Sequence, residues 1–168
     1  MRSLKYKYWK SVFDFRRCMD CKKQQGKVYL LYEIIPEEPP LHSNCRCSIQ
    51  CLEAKAAGTA TKLGLRGADW RLKTFRRLPG YYITESEATQ LGWIPILANL
   101  ASVAPGKMLT KGVYKNRDKR LPDALGRIWY EADINYSFGY RGGERILYSN
   151  DGLIFVTYDH YATFVEIV

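Results

Sequence analysis

The sequence predicts an α+β protein in which helices pack on a twisted antiparallel sheet, with a small zinc-ribbon-like module at the N-terminus. Apolar residues recur at helical spacing between positions 65 and 101, and from position 128 onward they alternate with a period of two. All five cysteines lie between positions 18 and 51. With 168 residues and 46% apolar side chains, the chain is long enough for one or two domains with a buried core.

Composition indicates a soluble protein that binds a polyanion. No stretch approaches the ~20 consecutive apolar residues that a membrane-spanning helix requires, so we expect no membrane association. The first ten residues are basic and aromatic without a following apolar stretch, so we recognise no signal peptide. Lys and Arg number 26 against 17 Asp and Glu, for a net charge of +9, which favours RNA or DNA as partner.

The chain divides into two predicted regions joined by a linker. Every cysteine lies in the first third of the chain, and no cysteine follows Cys51. Residues 52–63 are rich in Ala, Gly and Thr with little apolar periodicity, which is typical of a linker or a marginal helix. We therefore predict a Cys/His module over residues 1–51, a linker over 52–63 and a second domain over 64–168.

The first region carries the ligand spacing of a structural zinc site. A C-x2-C pair is followed by an H-x2-C-x-C group, and the candidate ligands are Cys18, Cys21, His42, Cys45 and Cys47. Thiolates and an imidazole at these separations suit a closed tetrahedral zinc ion, which would stabilise a module too small to fold by burial alone. Cys51 is then a bystander. Reduced thiols without metal, or a disulfide such as Cys45 to Cys51, are the alternatives.

This stretch also resembles the cysteine-containing tail of phage minor head (head-morphogenesis) proteins. The resemblance covers about 45 residues and rests on the C-x2-C pair, on Gly26-Lys27-Val28-Tyr29 and on Pro39-Pro40-Leu41-His42-Ser43-Asn44-Cys45-Arg46-Cys47. It implies a fused module for delivery, or one derived from packaging, rather than an enzymatic activity.

Three helices are predicted at the start of the second region. An amphipathic helix buries Leu65, Ala68, Leu72 and Phe75 and ends before Leu78-Pro79-Gly80. A capping box, Thr84 to Glu87, then opens a short helix, which we expect to bury Ala88 and Leu91 and to end at Gly92. The third helix covers residues 96–101.

Aromatic and β-branched residues with period-two alternation predict four antiparallel strands in the last third of the chain. They are predicted over residues 128–136, 145–149, 153–158 and 163–167. The connections are short enough for hairpins, so the strands form a meander.

A candidate active site lies on this meander. Glu131 projects from the polar face of the first strand, Arg141 and Arg145 bracket the next turn, and His160 lies in the last turn. A carboxylate and an imidazole can act as base and acid, while paired guanidiniums bind phosphate oxygens. The alternatives are a cross-strand ion pair and a solvated histidine.

Residues suited to nucleic-acid contact surround these groups. Tyr136, Tyr140 and Tyr161 could stack on bases, although tyrosine is common in any sheet. The segment Lys115-Asn116-Arg117-Asp118-Lys119-Arg120 could hold a base or a phosphate, although most such charged runs are exposed loops.

From Leu78 to Val168 the sequence resembles the barnase/binase-type family of small bacterial ribonucleases. The shared motifs include uncommon combinations, among them Tyr82-Ile83-Thr84, Leu91-Gly92-Trp93, Val103-Ala104-Pro105-Gly106-Lys107, Trp129-x-Glu131-Ala132-Asp133-Ile134-Asn135-Tyr136, Arg145-Ile146-Leu147-Tyr148-Ser149 and Asp159-His160-Tyr161-x-Thr163-Phe164. The resemblance implies the microbial ribonuclease fold and metal-independent cleavage of single-stranded RNA through a 2′,3′-cyclic phosphate.

The resemblance also implies the roles of individual residues. Glu131 matches the general base, His160 the general acid, Arg141 and Arg145 the phosphate binders, and Tyr161 a tyrosine that contacts substrate. It implies no cofactor for catalysis.

The family's preference for guanine implies a base-binding loop here, formed by Tyr114, Lys115, Asn116, Arg117 and Asp118. Asp118 replaces a glutamate that pairs with the guanine edge, so the carboxylate is one methylene shorter. Asn99 matches a residue near the rim of the family's active site, and Tyr140 is a further candidate for substrate contact.

Glu85 is the largest departure from the family, because it stands where the family has an active-site lysine. An anion beside the phosphodiester would oppose substrate binding unless it points away or pairs with Arg141 or Lys73. The second function that we consider is therefore a catalytically impaired RNA-binding or phage head-associated structural protein.

The combination of regions indicates a toxin cargo that acts as a monomer. A barstar-like inhibitor or immunity protein would then be its protein partner, offering acidic groups to the basic site. The resemblance implies action outside the producing cell or inside a target cell after delivery.

Overall fold

In the computed structural model, which describes residues 1–168, one nine-stranded sheet runs through the whole chain. The spatial order is β2-β1-β3-β9-β8-β7-β6-β5-β4. The strands are β1 (Arg2–Lys10), β2 (Val28–Leu30), β3 (Ser48–Lys55), β4 (Tyr82–Thr84), β5 (Met108–Tyr114), β6 (Trp129–Asp133), β7 (Arg145–Ser149), β8 (Ile154–Thr157) and β9 (Val165–Ile167).

Four short α-helices complete the fold: α1 (Met19–Gln24), α2 (Ala68–Phe75), α3 (Glu85–Gln90) and α4 (Leu100–Val103). Two single turns of 3-10 helix, Gly64–Arg66 and Pro95–Leu97, precede α2 and α4. The predicted capping box is confirmed at α3, where the Thr84 side chain and Glu87 satisfy each other's backbone N–H groups.

The α+β prediction is confirmed in its coarse form, a mixed protein with a large sheet and few helices. Strands β5 to β9 pair antiparallel, as the meander predicts. Two pairs are parallel instead, β4 with β5 and β3 with β9. A register shift between Thr110 and Gly112 bends β5 where it faces the centre of β6.

Three hydrophobic clusters hold the sheet together. One lies under α2 and includes Leu72, Ile146 and Val156. The second, on the face that carries Glu131, joins Tyr6, Val28 and Leu52 of the N-terminal segment to core residues Leu121, Trp129, Leu147, Phe155 and Phe164. The third packs α3 and α4 onto β5 through Ala88, Leu100 and Leu109. Because the second cluster draws on both regions, the N-terminal segment and the sheet share one core.

The first part of the predicted linker over residues 52–63 is a strand in the structure. Residues Leu52 to Lys55 are the end of β3, and Glu53, Ala54 and Lys55 pair with Val165, Glu166 and Ile167 of β9. The alternation Leu52-Glu53-Ala54-Lys55 is too short to predict a strand, and the stretch becomes one because β3 lies between β1 and β9 in the sheet. The division into folding units stays a prediction.

The predicted strands lie in the correct places with shorter ends, whereas β4 and β5 and the three N-terminal strands were not predicted.

The helix predictions were less accurate. Leu65 (66% exposed) and Leu91 (54%) are not buried, nor is Phe75, because α2 and α3 are each less than three turns long. A 3-10 turn and α4 replace the predicted helix over 96–101. None of these helices has the length and apolar character that a membrane crossing demands.

Candidate active site

Glu131 lies at the centre of the sheet, on β6 opposite Leu147 of β7. It is 7% exposed, yet its carboxylate has two polar neighbours. The Tyr161 hydroxyl donates to Oε2 at 3.0 Å, and Lys111 Nζ on β5 lies 3.6 Å from Oε1. A buried carboxylate with these partners is held in one orientation and faces the same side of the sheet as Tyr161.

Arg141 and Arg145 are oriented by one buried carboxylate, that of Asp133. Arg141 donates from Nε to Oδ2 at 2.6 Å and from Nη2 to Oδ1 at 3.0 Å. Arg145 Nε lies 3.1 Å from Oδ1 as an ion pair without hydrogen-bond geometry, and its Nη1 donates to the carbonyls of Gly142 and Glu144. Burial alone would lower the pKa of Arg141, but the bonds to Asp133 raise it above the ordinary value. The Arg141 guanidinium therefore stays charged.

His160 and Tyr161 form a strained turn between β8 and β9. Both have left-handed backbone conformations, with φ of 57° and 68°, which residues other than glycine rarely adopt. Side chains hold the turn in place: Thr157 Oγ1 accepts from the Tyr161 N–H at 2.9 Å, and Asp159 accepts from Thr163. This strain is a feature of functional sites, where the surrounding structure over-determines the backbone.

Indirect contacts link the turn of His160 to the strand that carries Glu131. The His160 and Tyr161 rings are 5.1 Å apart, and Tyr161 is bonded to Glu131. Gly143 packs closely on His160, because a Cβ at this glycine would lie 2.9 Å from the histidine Cβ. The same loop supplies the carbonyls that Arg145 contacts. His160, Glu131 and Arg145 are thus connected to one another through Tyr161 and the loop of residues 142–144.

The predicted base-binding loop contacts the catalytic turn through Tyr161. The Tyr114 ring stacks on Tyr161 with centroids 5.6 Å apart. Asn116 closes the loop through bonds to both the carbonyl and the N–H of Leu121, so its side chain is used within the loop. Arg117 and Asp118 are exposed, and Asp118 lies 3.7 Å from Arg120.

Glu85 pairs with Arg141, one of the two partners considered for it. Arg141 Nη1 donates to Glu85 Oε1 at 3.3 Å, and the glutamate side chain is 52% exposed. Asn99 and Tyr140 both bond to the loop that follows α3. Asn99 braces the adjoining loop through Gly92 and Ile94, and the exposed Tyr140 ring is tethered by its hydroxyl to the Ile96 carbonyl.

Two residues of the site were missed in the sequence. Asp133 had no assigned role, although it orients both guanidiniums; its place two residues after Glu131 on the same strand face was the available signal. Lys111 carried no signal, because β5 was not predicted as a strand. Its ammonium is the cation next to Glu131.

The N-terminal segment is docked directly on the turn of His160 and Tyr161. Gln25 Nε2 donates to the Ala162 carbonyl at 3.3 Å, and a Cβ at Gly26 would lie 2.3 Å from the same oxygen. Arg120 Nη1 donates to the carbonyls of both Gln25 and Tyr161, at 3.1 and 2.8 Å. The segment outside the ribonuclease-like region therefore contacts the backbone of the candidate active site.

The five predicted metal ligands lie together at the start of α1. They form two groups that share Cys21, one with Cys18 and His42 and the other with Cys45 and Cys47. Cys21 Sγ is 3.7 Å from Cys45 Sγ, and His42 Nε2 is 3.2 Å from Cys18 Sγ. These separations fit a tetrahedral zinc ion, whose sulfur ligands at ~2.3 Å are about 3.8 Å from one another.

The surroundings of this cluster suit metal coordination. His42 Nδ1 lies 2.8 Å from the Ser43 carbonyl, which can only accept, so Nδ1 carries the proton and Nε2 faces the sulfurs with its lone pair. Burial alone would raise the pKa of Cys45, but backbone hydrogen bonds at Cys47 and Leu41 lower it to about 7. Cys51 is exposed on β3 and belongs to neither group, and all five cysteines are free of disulfides.

Known proteins resemble the second region of the chain. A family model described as ribonuclease matches residues 70–168. A ribonuclease of Heyndrickxia coagulans is 53% identical over 100 residues, which cover 60% of this chain and 91% of that protein. Ribonucleases of Bacillus intermedius and Bacillus pumilus are also 53% identical over 100 residues, and the match spans 61% of each of them. Through residues 70–168 the chain belongs to the ribonuclease family, of the bacterial barnase/binase type.

Proposed function

We propose that the protein is an endoribonuclease that cleaves single-stranded RNA by transphosphorylation. Membership of the ribonuclease family supports the activity. The observation that carries the mechanism is the hydrogen bond from Tyr161 to Glu131, because it ties the turn of His160 to the strand of the carboxylate. An acid, a base and two cations then surround one phosphodiester.

In the first step Glu131 removes the proton from the ribose 2′-hydroxyl, and the oxygen attacks the adjacent phosphorus. The bond from phosphorus to the 5′ oxygen breaks, and His160 gives this leaving oxygen its proton. A 2′,3′-cyclic phosphate results. In the second step the roles reverse: His160 deprotonates water, water opens the cyclic phosphate, and Glu131 returns a proton to the 2′ oxygen.

Charge builds up on the phosphoryl oxygens in both steps. Arg141 and Arg145 are placed to bind these oxygens, and because Asp133 fixes both guanidiniums beforehand, little reorganisation accompanies the reaction. Lys111 Nζ lies 3.6 Å from the carboxylate that acts as the base. The mechanism requires no metal ion or organic cofactor at this site.

A preference for guanine on the 5′ side of the cut is part of the proposal. Asp118 would accept from the guanine edge, while the Tyr114 ring and the loop closed by Asn116 border the base. Since Asp118 also lies 3.7 Å from Arg120, the preference should be weaker than with a free carboxylate.

End-group analysis of cut RNA tests this proposal. The purified full-length protein is incubated with a guanine-containing single-stranded RNA without added divalent cations. We expect products with 2′,3′-cyclic phosphate ends, followed by 3′-phosphates, because the attacking oxygen comes from the ribose itself. Products with 3′-hydroxyl ends, or strict dependence on Mg²⁺, would contradict the mechanism.

One observation favours the second function, an impaired enzyme that binds RNA or serves a phage head. The ion pair between Glu85 and Arg141 occupies one of the two phosphate-binding guanidiniums with an anion. Substrate would have to displace this pair or tolerate it. RNA binding without measurable turnover would support this alternative over the ribonuclease.

We also propose that the N-terminal cluster holds one structural zinc ion. Cys18, Cys21, Cys45 and either His42 or Cys47 would be its ligands, as their separations support. The ion would join the start of α1 to the loop before β3, two parts of a segment with few buried residues.

Replacing Cys21 with serine is expected to abolish zinc binding and to lower the melting temperature by about 10 °C, since a structural zinc contributes several kcal/mol. Metal content by mass spectrometry and thermal unfolding measure both effects. Cys51→Ser is the matched control, because Cys51 lies outside the cluster. One zinc per chain in Cys21→Ser, or none in the parent protein, would disprove the site.

The biological setting is proposed from the same features. A basic ribonuclease fused to a metal-stabilised segment suits a toxin cargo, delivered or exported from the producing cell. A barstar-like inhibitor with an acidic surface would be its partner, covering Arg141, Arg145 and the base-binding loop. The phage minor head resemblance of the first 50 residues stays a prediction of how the cargo is packaged.

A further inference from the structure

A basic cleft of about 460 Å³ lies between helix α1 and the base-binding loop. Six cations line it: Lys22, Lys23, Lys27, Arg117, Lys119 and Arg120. The first three come from the N-terminal segment and lie outside the residues that match the ribonuclease family. We propose that this cleft, called here the α1 cleft, binds the phosphate backbone of the RNA substrate beyond the nucleotides at the cut.

The charge of the α1 cleft is strongly positive. Asp118 is its only acidic lining residue, and Arg120 at 3.7 Å balances it. Lys23 also lies 3.6 Å from Asp20, but both side chains are at least 70% exposed, so water and salt screen that pair. Neither Lys22 nor Lys27 forms an ion pair within 4 Å of a carboxylate. A polyanion is the ligand that such a surface attracts.

The cleft continues directly into the active site. Arg120 lines the cleft with its guanidinium and donates to the carbonyl of Tyr161, next to His160. Arg117 and Asp118 belong both to the cleft and to the proposed base-binding loop. A strand of RNA whose guanine is held by this loop would therefore place its neighbouring phosphates along α1. The inference rests on the proposed ribonuclease function in this respect.

The lysines are held at a fixed position relative to the catalytic turn. Residue Gln25, directly after α1, accepts from Ser11 N–H and donates to Ala162, and it is only 3% exposed. The Val28 N–H donates to the Arg120 carbonyl at 2.7 Å, which ties the end of the segment to the loop. Because α1 is anchored at this point, its side chains extend one binding surface instead of moving independently of it.

The triple variant Lys22→Gln, Lys23→Gln, Lys27→Gln tests the inference in the full-length chain. For a fluorescent 12-nucleotide single-stranded RNA bound to the His160→Ala protein, we expect the triple variant to weaken binding about tenfold at low salt. The slope of log Kd against log salt concentration should fall by about 2, since each phosphate contact on a single strand contributes ~0.7. Fluorescence anisotropy measures both quantities.

Cleavage separates this inference from the proposed function. In the protein with His160 intact, the ratio of kcat/KM for the 12-nucleotide RNA to that for a guanine-containing dinucleotide should fall about tenfold in the triple variant. A parent protein that cleaves neither substrate would contradict the proposed function, while the binding measurement would still decide on the α1 cleft.

The matched control carries the same change of charge at positions outside the cleft. Lys5, Lys62 and Arg77 are exposed and do not line it, so Lys5→Gln, Lys62→Gln, Arg77→Gln should leave Kd within about twofold. An equal loss of RNA affinity in both triple variants would mean that the overall charge of the protein causes the effect, and it would overturn the inference. An unchanged Kd in the lysine variant of α1 would also overturn it.

Discussion

Replacing either Glu131 or His160 with alanine is expected to lower kcat/KM for RNA cleavage by about 10²- to 10⁴-fold, the usual contribution of a positioned general base or acid. Glu131→Ala removes the group that takes the 2′ proton, and His160→Ala removes the group that protonates the leaving oxygen. Initial rates on a fluorescent guanine-containing RNA measure the loss. Because the two residues act in the same step, the double variant should lose much less than the product of the single losses.

Controls must separate lost chemistry from lost structure. Glu131→Gln keeps the shape of the side chain and an acceptor for Tyr161, so it should fold like the parent and be as inactive as Glu131→Ala. Glu37→Gln removes an exposed carboxylate far along the chain from these residues and should retain full activity. Parental rates in either alanine variant would refute the assignment of base and acid.

Glu85→Lys is expected to increase kcat/KM by about 10- to 100-fold, which corresponds to about 1.4–2.7 kcal/mol of transition-state stabilisation. The substitution frees Arg141 from its ion pair and places a cation where an anion now faces the substrate. Glu85 is 52% exposed, so solvent screening keeps the gain well below the Coulomb energy of a buried charge. Steady-state cleavage of the same RNA measures it.

Two further variants separate the local effect of Glu85 from the effect of net charge on cleavage. Glu85→Gln removes the anion without adding a cation and should give an intermediate rate. Glu37→Lys produces the same change in net charge on an exposed loop, so it reports general attraction of RNA to the protein. If Glu85→Lys were no faster than Glu37→Lys, the glutamate would be accommodated in the parent enzyme, and the impaired-enzyme alternative would lose its main support.

The two phosphate-binding arginines could be predicted from the sequence, but the role of Asp133 in orienting them could not. Arg141 and Arg145 stand out because they flank a turn next to a polar strand face. Their common partner became evident only when β6 and β7 were paired, with Asp133 opposite Arg145. A cross-strand ion pair was the alternative interpretation of these arginines, and the structure does contain ion pairs, but with Asp133 and Glu85 rather than with Glu131.

Lys111 illustrates the opposite case, a site residue with no signal in the sequence. Its strand β5 contains glycine and a bulge, so the alternation that reveals β6 to β9 is interrupted. The ammonium reaches Glu131 only because β5 lies beside β6. Helices α2 and α3 are also shorter than their apolar spacing predicted. An apolar spacing of three or four residues indicates a helical face, but tertiary packing determines how many turns of the helix form.

The sequence by itself determined the α+β class, the strands from β6 to β9, the capping box at α3 and the grouping of cysteines and histidine, because each depends on local periodicity or spacing. Only the tertiary structure decided that β3 pairs with β9, that Gln25, Gly26 and Arg120 fix the turn of His160, and that Lys22, Lys23 and Lys27 face the base-binding loop. These contacts join residues about 90 or more positions apart in the sequence. They depend on which surfaces are left unpaired after the local elements form, and local patterns do not specify this choice.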